Sequence, residues 1–559
     1  MVKFLKQPQN LTPVLFFGLA AIVILWQILL PGYILTLDLI ATPHFKVFLE
    51  PGVIHNNLLF QYFWQLLNLA LPGWLIQKIY LFLTIFLAGF LAWRFLPLPG
   101  KSIARLWAGL FYMANPFVYE RFLAGQIGIL VAYALLPWVV FSASNLFKDQ
   151  RWRFLVGLFF GLWLLSIFSL HFLAMAIIFI LLLAFVHLIS LIWSKKFKLF
   201  AQLILQLVIL GLALALVSSY WLVPAVKNYS NSNLNNFNQV DFQAFVTSSH
   251  DPLGAEFNVL SLHGFWGEVK PWAGYFIWPK DHYIFWLAMF GLLCLLSARG
   301  VIESYFKNRS LFFLFGLTAL GGLVFSLGLA PGIFQSLNQW LFDHIWFWSG
   351  FRDTQKWSAW LVLAFAYFGG LGVYAVGEFV QAKKPKQLQI VSVGLMLVVV
   401  FFTYPIWGGF SRQLKSIWYP ASWQQVAEII DHQNSDSRIL FLPWHQYLSL
   451  DFNQSLVSQN PAKAFFGSRI VQSHNAELDG VDSANAEPLV SEIEQILAGD
   501  QTLSDINTLR LIKARGVDQI LIINSLSLEF LANFSDFKAS GAIKEVFGSN
   551  DLTLYEILL

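Results

Sequence analysis

The residues able to do chemistry in this 559-residue chain are few, and they sit beside long apolar runs. Asp38 follows Gly32-Tyr33-Ile34-Leu35-Thr36-Leu37 and is, with Glu50, one of two carboxylates in residues 32–74. A carboxylate in such apolar company is costly without a partner. As a general base it would take the proton of an acceptor hydroxyl; as a plain loop residue it would cap a helix or face water. Asn115-Pro116-Phe117-Val118-Tyr119-Glu120-Arg121 places an acid next to a base. Sequence neighbours do not face each other on a helix, so Glu120 and Arg121 each need a partner elsewhere, unless Arg121 simply snorkels to the membrane surface. In Phe351-Arg352-Asp353-Thr354-Gln355-Lys356-Trp357, a helix would set Arg352 and Lys356 on one face, a fork and a point charge suited to a phosphate. The nearby Trp346, Trp348 and Trp357 also allow two interfacial anchors. Residues 225–281 supply His250, Asp251, His263, Trp266, Glu268, Trp272 and Lys280, an aromatic and polar mixture able to line a sugar-binding wall. His44, Glu120, Arg121, His250, Asp251, Trp266 and Asp353 are therefore candidates for substrate contact.

Familiar soluble-enzyme motifs are missing. There is no GxxxxGK[ST] loop for a nucleotide, and no HExxH or paired CxxC for zinc. The single cysteine, Cys294, lies in an apolar run, so no intrachain disulfide can form. A net charge of +4 gives no reason to expect a nucleic-acid partner.

The elements that must position these groups are membrane helices. The chain is 57% hydrophobic and 12% charged, with mean hydropathy +0.62, whereas soluble domains carry roughly 25% charged residues. Its 56 Phe and 23 Trp suit lipid-facing surfaces and aromatic belts. Runs long enough to span lie near 11–31, 75–97, 103–119, 126–146, 154–170, 172–193, 199–224, 282–299, 311–330, 357–380 and 388–408, so about eleven helices are expected. The first, preceded by Lys3 and Lys6, reads as an uncleaved span and not as a signal peptide.

Every second connection is basic: Arg94/Lys101/Arg105, Lys148/Arg151/Arg153, Lys195/Lys196/Lys198, Arg299/Lys307/Arg309 and Lys383/Lys384/Lys386. By the positive-inside rule the N-terminus is expected inside and the C-terminus outside the cytoplasmic membrane. The long connections 32–74, 225–281 and 331–356 then face outward, and the half of the first from Asn56 to Leu67 is amphipathic and suited to the interface. The expected domains are a membrane region, 1–408, and a soluble extracytoplasmic α/β domain, 409–559. In the latter, Ser422–His432, Leu489–Leu497, Ser504–Lys513 and Phe530–Phe537 read as helices, and Arg438–Leu442, Asp518–Ile523 and Leu552–Leu558 as strands.

This order of parts resembles the GT-C superfamily of membrane glycosyltransferases, with an acidic residue soon after the first span and an outer C-terminal domain. Ala108 to Trp138, with Asn115-Pro116-Phe117 and Ala132-Tyr133-Ala134-Leu135-Leu136-Pro137-Trp138, is similar to the arabinofuranosyltransferase-like membrane proteins, as is Phe351 to Trp357. Tyr419-Pro420-Ala421-Ser422-Trp423, Leu440 to Tyr447 and Ala514 to Leu521 resemble bacterial membrane proteins of the YfhO type. The resemblance implies transfer of a sugar from a polyprenyl-phosphate donor to a glycan, lipid or protein acceptor at the outer face, among membrane lipids. Asp38 matches the position of the catalytic acid, and Arg352 and Lys356 would hold the donor phosphate. Asp38 is followed by Leu39 and Ile40 and not by a second acid, so a divalent metal stays an open alternative and no cofactor is assigned. A non-catalytic protein that binds or moves lipid-linked saccharides, or a scaffold acting through its C-terminal domain, would share these features without a base.

Overall fold

A computed structural model of the chain describes residues 8–49, 53–100, 103–227, 239–433, 437–475, 487–500 and 503–559. Glu50 and Lys101 lie outside the described residues. The chain divides into two compact units: Met1–Leu29, Lys78–Pro224 and Phe245–Leu414 form the first, and Leu30–Gln77, Ala225–Ala244 and Lys415–Leu559 the second.

Among the described residues, eight helices are long and apolar enough to cross a membrane: Gly73–Phe95, Ile127–Asp149, Leu170–Trp193, Phe197–Val217, Lys280–Lys307, Arg309–Ser326, Thr354–Lys383 and Pro385–Phe402. Two shorter apolar helices, Leu11–Leu25 and Trp152–Phe168, fall on the first and fifth expected spans. The expected span 103–119 is interrupted. Its residues form Ile103–Met113 and Pro116–Leu123, because Asn115-Pro116 is a stop and a start together. Proline at a first helical position needs no backbone donor, and the residue before it is driven to extended backbone. Asn115 is extended at φ −156°, and its side chain accepts from the Val118 amide at 3.1 Å while donating to the Phe111 and Tyr112 carbonyls at 3.0 Å. One side chain thus satisfies the end of one helix and the beginning of the next.

Thr354–Lys383 is the most enclosed of the long helices, with 83% of its apolar window buried. It packs on Lys280–Lys307 with the two backbones nearly touching: a Cβ on Gly300 would lie 1.7 Å from the Phe368 carbonyl oxygen, and one on Gly372 1.9 Å from that of Leu296. Between apolar helices in lipid the attraction comes from close packing, which small residues permit. Phe197–Val217 and Pro385–Phe402 bury only 17% of their windows and are apolar on the exposed side as well, the pattern of a lipid-facing surface.

Among the described residues the second unit contains seven strands: β1 (Arg438–Leu442), β2 (Tyr447–Ser449), β3 (Val457–Gln459), β4 (Ile470–Val471), β5 (Val517–Ile523), β6 (Ile543–Gly548) and β7 (Leu552–Ile557). Five form a mixed sheet in the order β4-β1-β5-β7-β6, with β1 parallel to β4 and β5, and β7 antiparallel to β5 and β6. Side chains alternate across each strand. Leu440, Leu442, Ile520 and Ile522 therefore meet Pro488–Gly499, Ile506–Ala514 and Leu528–Ala539 on one face. Ile439, Phe441, Leu521 and Ile523 meet Ala421–His432 and Ala462–Phe466 on the other. Gly516 takes the left-handed backbone (φ +81°) expected of the residue that ends the helix before β5.

Segment 30–77 belongs to the same unit and is built into it. Tyr33 and Ile417 exchange backbone hydrogen bonds at 2.7 and 2.9 Å, and Tyr33, Leu35, Ala41 and Ile417 share a small core. The amphipathic stretch forms the helix Leu58–Asn68, with Trp64 buried and Leu59, Phe63 and Leu66 exposed.

Candidate functional site

The break at Asn115-Pro116 carries Glu120 and Arg121 on the short helix Pro116–Leu123, and both are fully buried. Arg121 does not snorkel. Its guanidinium donates through both terminal nitrogens to Asp353, at 2.5 and 2.9 Å, and also to Gln126 at 2.6 Å and to Gln355. A two-point fork of this kind fixes geometry as well as charge. Breaking a buried pair from one side typically costs about 3–5 kcal/mol, because the remaining charge is uncompensated. Burial by itself would raise the Asp353 carboxyl, but Arg121 and then Lys356 hold it down at about 2.

Arg352 and Lys356 do not share the one face that their four-residue spacing would give them on a helix. Trp348–Phe351 and Thr354–Trp357 are separate 3-10 turns, broken at Asp353, where ψ is +79°. Arg352 ends the first turn, half-buried, with its guanidinium 4.6 Å from the Phe245 ring centre. Lys356 lies in the second, buried, with Nζ 3.7 Å from Asp353 and 3.4 Å from His171 Nε2. Thr354 Oγ1 anchors the second turn by donating to the Ser326 carbonyl at 3.2 Å, and Thr247 donates to the same oxygen at 2.6 Å.

From Gln355 the polar chain continues. Gln355 donates to Glu120 Oε2 at 3.4 Å, while Glu120 Oε1 has no donor among the described residues. Glu268 faces Glu120, and it already accepts from Asn258 at 2.8 Å and from the Gly264 amide at 2.7 Å. Burial, and then the Glu268 carboxylate, push Glu120 well above the usual carboxylate range. A proton on Glu120 directed at Glu268 supplies the missing donor and removes the repulsion. Asn258 also accepts from Lys280 at 2.6 Å, and Lys280 donates to Asp251 at 2.5 Å. Burial, then Lys280, hold His263 well below its ordinary value. The first unit therefore contains one continuous charged network running from Lys356 through Asp353, Arg121, Gln355, Glu120, Glu268, Asn258 and Lys280 to Asp251.

His250 is exposed at the edge of this region, its backbone amide held by Ser248. Trp266 is half-buried and packs edge-to-face on Phe245 at 4.7 Å and on Trp272 at 5.5 Å.

Asp38 belongs to the second unit. It stands exposed at the third position of a tight turn, Thr36–Leu39, closed by hydrogen bonds of 3.1 and 2.7 Å between the end residues. Tyr447 of β2 donates its hydroxyl to Asp38 Oδ1 at 2.8 Å. His44 is also exposed, on the segment that follows. Among the described residues no group of three His, Cys, Asp or Glu side chains could hold a metal.

Arg121, Glu120, Asp353 and Asp251 are thus joined in one network. Gln355, Asn258, His171 and Tyr447 were not singled out by their sequence setting. Tyr447 has a faint signal, as the end of the polar run Trp444-His445-Gln446-Tyr447, while Asn258 has none.

Solved structures similar to this chain include two single-particle cryo-EM structures of the arabinofuranosyltransferase AftD from Mycobacteria, one of them a mutant. They align over 97% of this chain at TM-scores of 0.58 and 0.59, with 13% and 14% sequence identity. This chain spans only 40% and 41% of the length of those proteins. No family model and no curated protein matches the sequence. The likeness shows a shared fold: among the described residues, eight helices long and apolar enough to cross a membrane, with an α/β region near the C-terminus.

Proposed function

We propose, from this GT-C-like fold, that the protein is a membrane glycosyltransferase moving a sugar from a polyprenyl-phosphate donor to an extracytoplasmic glycan, lipid or protein acceptor. The likeness to an arabinofuranosyltransferase along nearly the whole of this chain carries the proposal. In the reaction, Asp38 removes the acceptor hydroxyl proton as that oxygen bonds to the anomeric carbon. The bond from that carbon to the phosphate oxygen breaks, its electron pair leaves with polyprenyl phosphate, and the anomeric configuration inverts. The exposure of Asp38 at a turn tip supports its assignment as base. Arg352 and Lys356 are assigned to the phosphate. Lys356 shares Asp353 with Arg121, which already binds that carboxylate at two points, so a phosphate is able to compete for the ammonium. The alternation of basic connections supports an orientation with residues 409–559 outside the cytoplasm.

The test supplies purified protein with a panel of radiolabelled polyprenyl-phosphate pentoses and hexoses, arabinofuranose first, together with acceptor glycans. Release of polyprenyl phosphate is expected with one donor, and Asp38→Asn should lower it by at least a hundredfold with membrane insertion intact. Donor binding without release by the unmodified protein would identify a binding or translocating protein instead.

A further inference from the structure

We infer that Tyr447 is the positioning residue for Asp38, so that the C-terminal segment of the chain completes the machinery of the base. This rests on the assignment of Asp38 above. The turn that carries Asp38 is one the sequence would not hold alone: Leu37 has φ +34°, a backbone conformation leucine rarely adopts. Such a residue persists only where its surroundings over-determine it, and here strand β3 does so from both sides. The Leu37 amide donates to the Val457 carbonyl at 3.0 Å, and the Gln459 amide donates to the Leu37 carbonyl at 2.7 Å. Nearby, Asn453 donates to the Leu35 carbonyl at 3.2 Å, and Gln77 brackets Ile34 with its side-chain amide, accepting at 2.9 Å and donating at 2.8 Å.

The position of Tyr447 follows from the same clamp. In the register of β2 with β3, Tyr447 stands directly opposite Gln459, the residue whose amide holds Leu37. The backbone before Asp38 and the hydroxyl that meets its carboxylate are therefore fixed by one two-stranded hairpin. Asp38 is exposed, and an exposed carboxylate has several side-chain rotamers open to it. The phenol donates to Oδ1 at 2.8 Å and so fixes one carboxylate oxygen in place. Productive geometry at a reacting hydroxyl tolerates little error, so losing the pin should be read in turnover and not in donor affinity.

The experiment uses the full chain and the donor identified by the panel, comparing Tyr447→Phe, Asp38→Asn and the double variant. Tyr447→Phe keeps the ring and should lower kcat by about tenfold or more, with the donor KM within about twofold. The double variant should be no slower than Asp38→Asn, because a residue acting through Asp38 has nothing left to position. The inference is overturned if Tyr447→Phe matches the unmodified protein, if it raises KM with kcat unchanged, or if the two losses multiply. Full turnover by Asp38→Asn, or none by the unmodified chain with any donor, overturns the assignment of the base itself and the inference with it. Thermal unfolding of Tyr447→Phe should match that of the unmodified protein, which separates lost positioning from lost fold.

Discussion

At the scale of single residues, burial decides what each charge is able to do. Arg121 and Asp353 are both enclosed and paired with each other, whereas Asp38 is exposed with a phenol beside it. Glu120 is the group whose state follows most directly from its place, since burial and Glu268 raise it together, with Arg121 and Lys280 opposing. Above the ordinary carboxylate range an unfolded chain loses this proton while the folded one keeps it, so the unfolded form binds fewer protons and stability falls with rising pH. The slope from one such group is at most about 1.4 kcal/mol per pH unit. Glu120→Gln keeps a neutral side chain of the same shape. Thermal unfolding in detergent from pH 5 to pH 8 should accordingly show a smaller decline for this variant; an unchanged slope would mean that Glu120 is ionised. The candidates Glu120, Arg121 and Asp353 could be picked out from their types, but not their partners, because the residues of the Arg121–Asp353 pair are 232 positions apart and no local pattern joins them.

At the scale of elements, short features with strong local chemistry were easy to overlook beside long apolar runs. Asn115-Pro116 carries both a cap and a first-turn proline, and it overrides a run of the right length for a span. Residues 354–357 form a 3-10 turn ahead of the α-helix Ser358–Lys383 for the opposite reason: tertiary hydrogen bonds from Thr354 and Arg121 hold them there. Strands β1, β5 and β7 were legible in their branched and aliphatic runs, while β2, β3 and β4, of two or three residues, are too short to show a period. The crossing of Lys280–Lys307 with Thr354–Lys383 yields a sharper expectation. Gly372→Leu would drive a side chain into the Leu296 carbonyl, which is backbone and cannot turn aside. Overpacking at this point should cost at least about 1–3 kcal/mol, seen as a lowered midpoint of thermal unfolding in detergent, whereas the same change at Gly394, with nothing within 4 Å, should be nearly silent.

At the scale of the whole molecule, the second unit is assembled from segments far apart in sequence, Leu30–Gln77, Ala225–Ala244 and Lys415–Leu559. Tyr33, Leu37 and Asp38 are held by hydrogen bonds with Ile417, Val457, Gln459 and Tyr447. A chain ending at Leu414 should therefore lose protection of this stretch in limited proteolysis, with new cleavage between Gly32 and Lys46; continued protection would mean that the segment folds without those partners. Composition and periodicity alone determined that this is a membrane protein with an α/β region near its C-terminus, because hydropathy and strand alternation are sums over neighbouring residues. Which acid meets which base, and that a tyrosine of the C-terminal segment reaches Asp38, were decided only by the tertiary structure, because contacts between distant residues depend on how the helices and strands pack and leave no trace in local order.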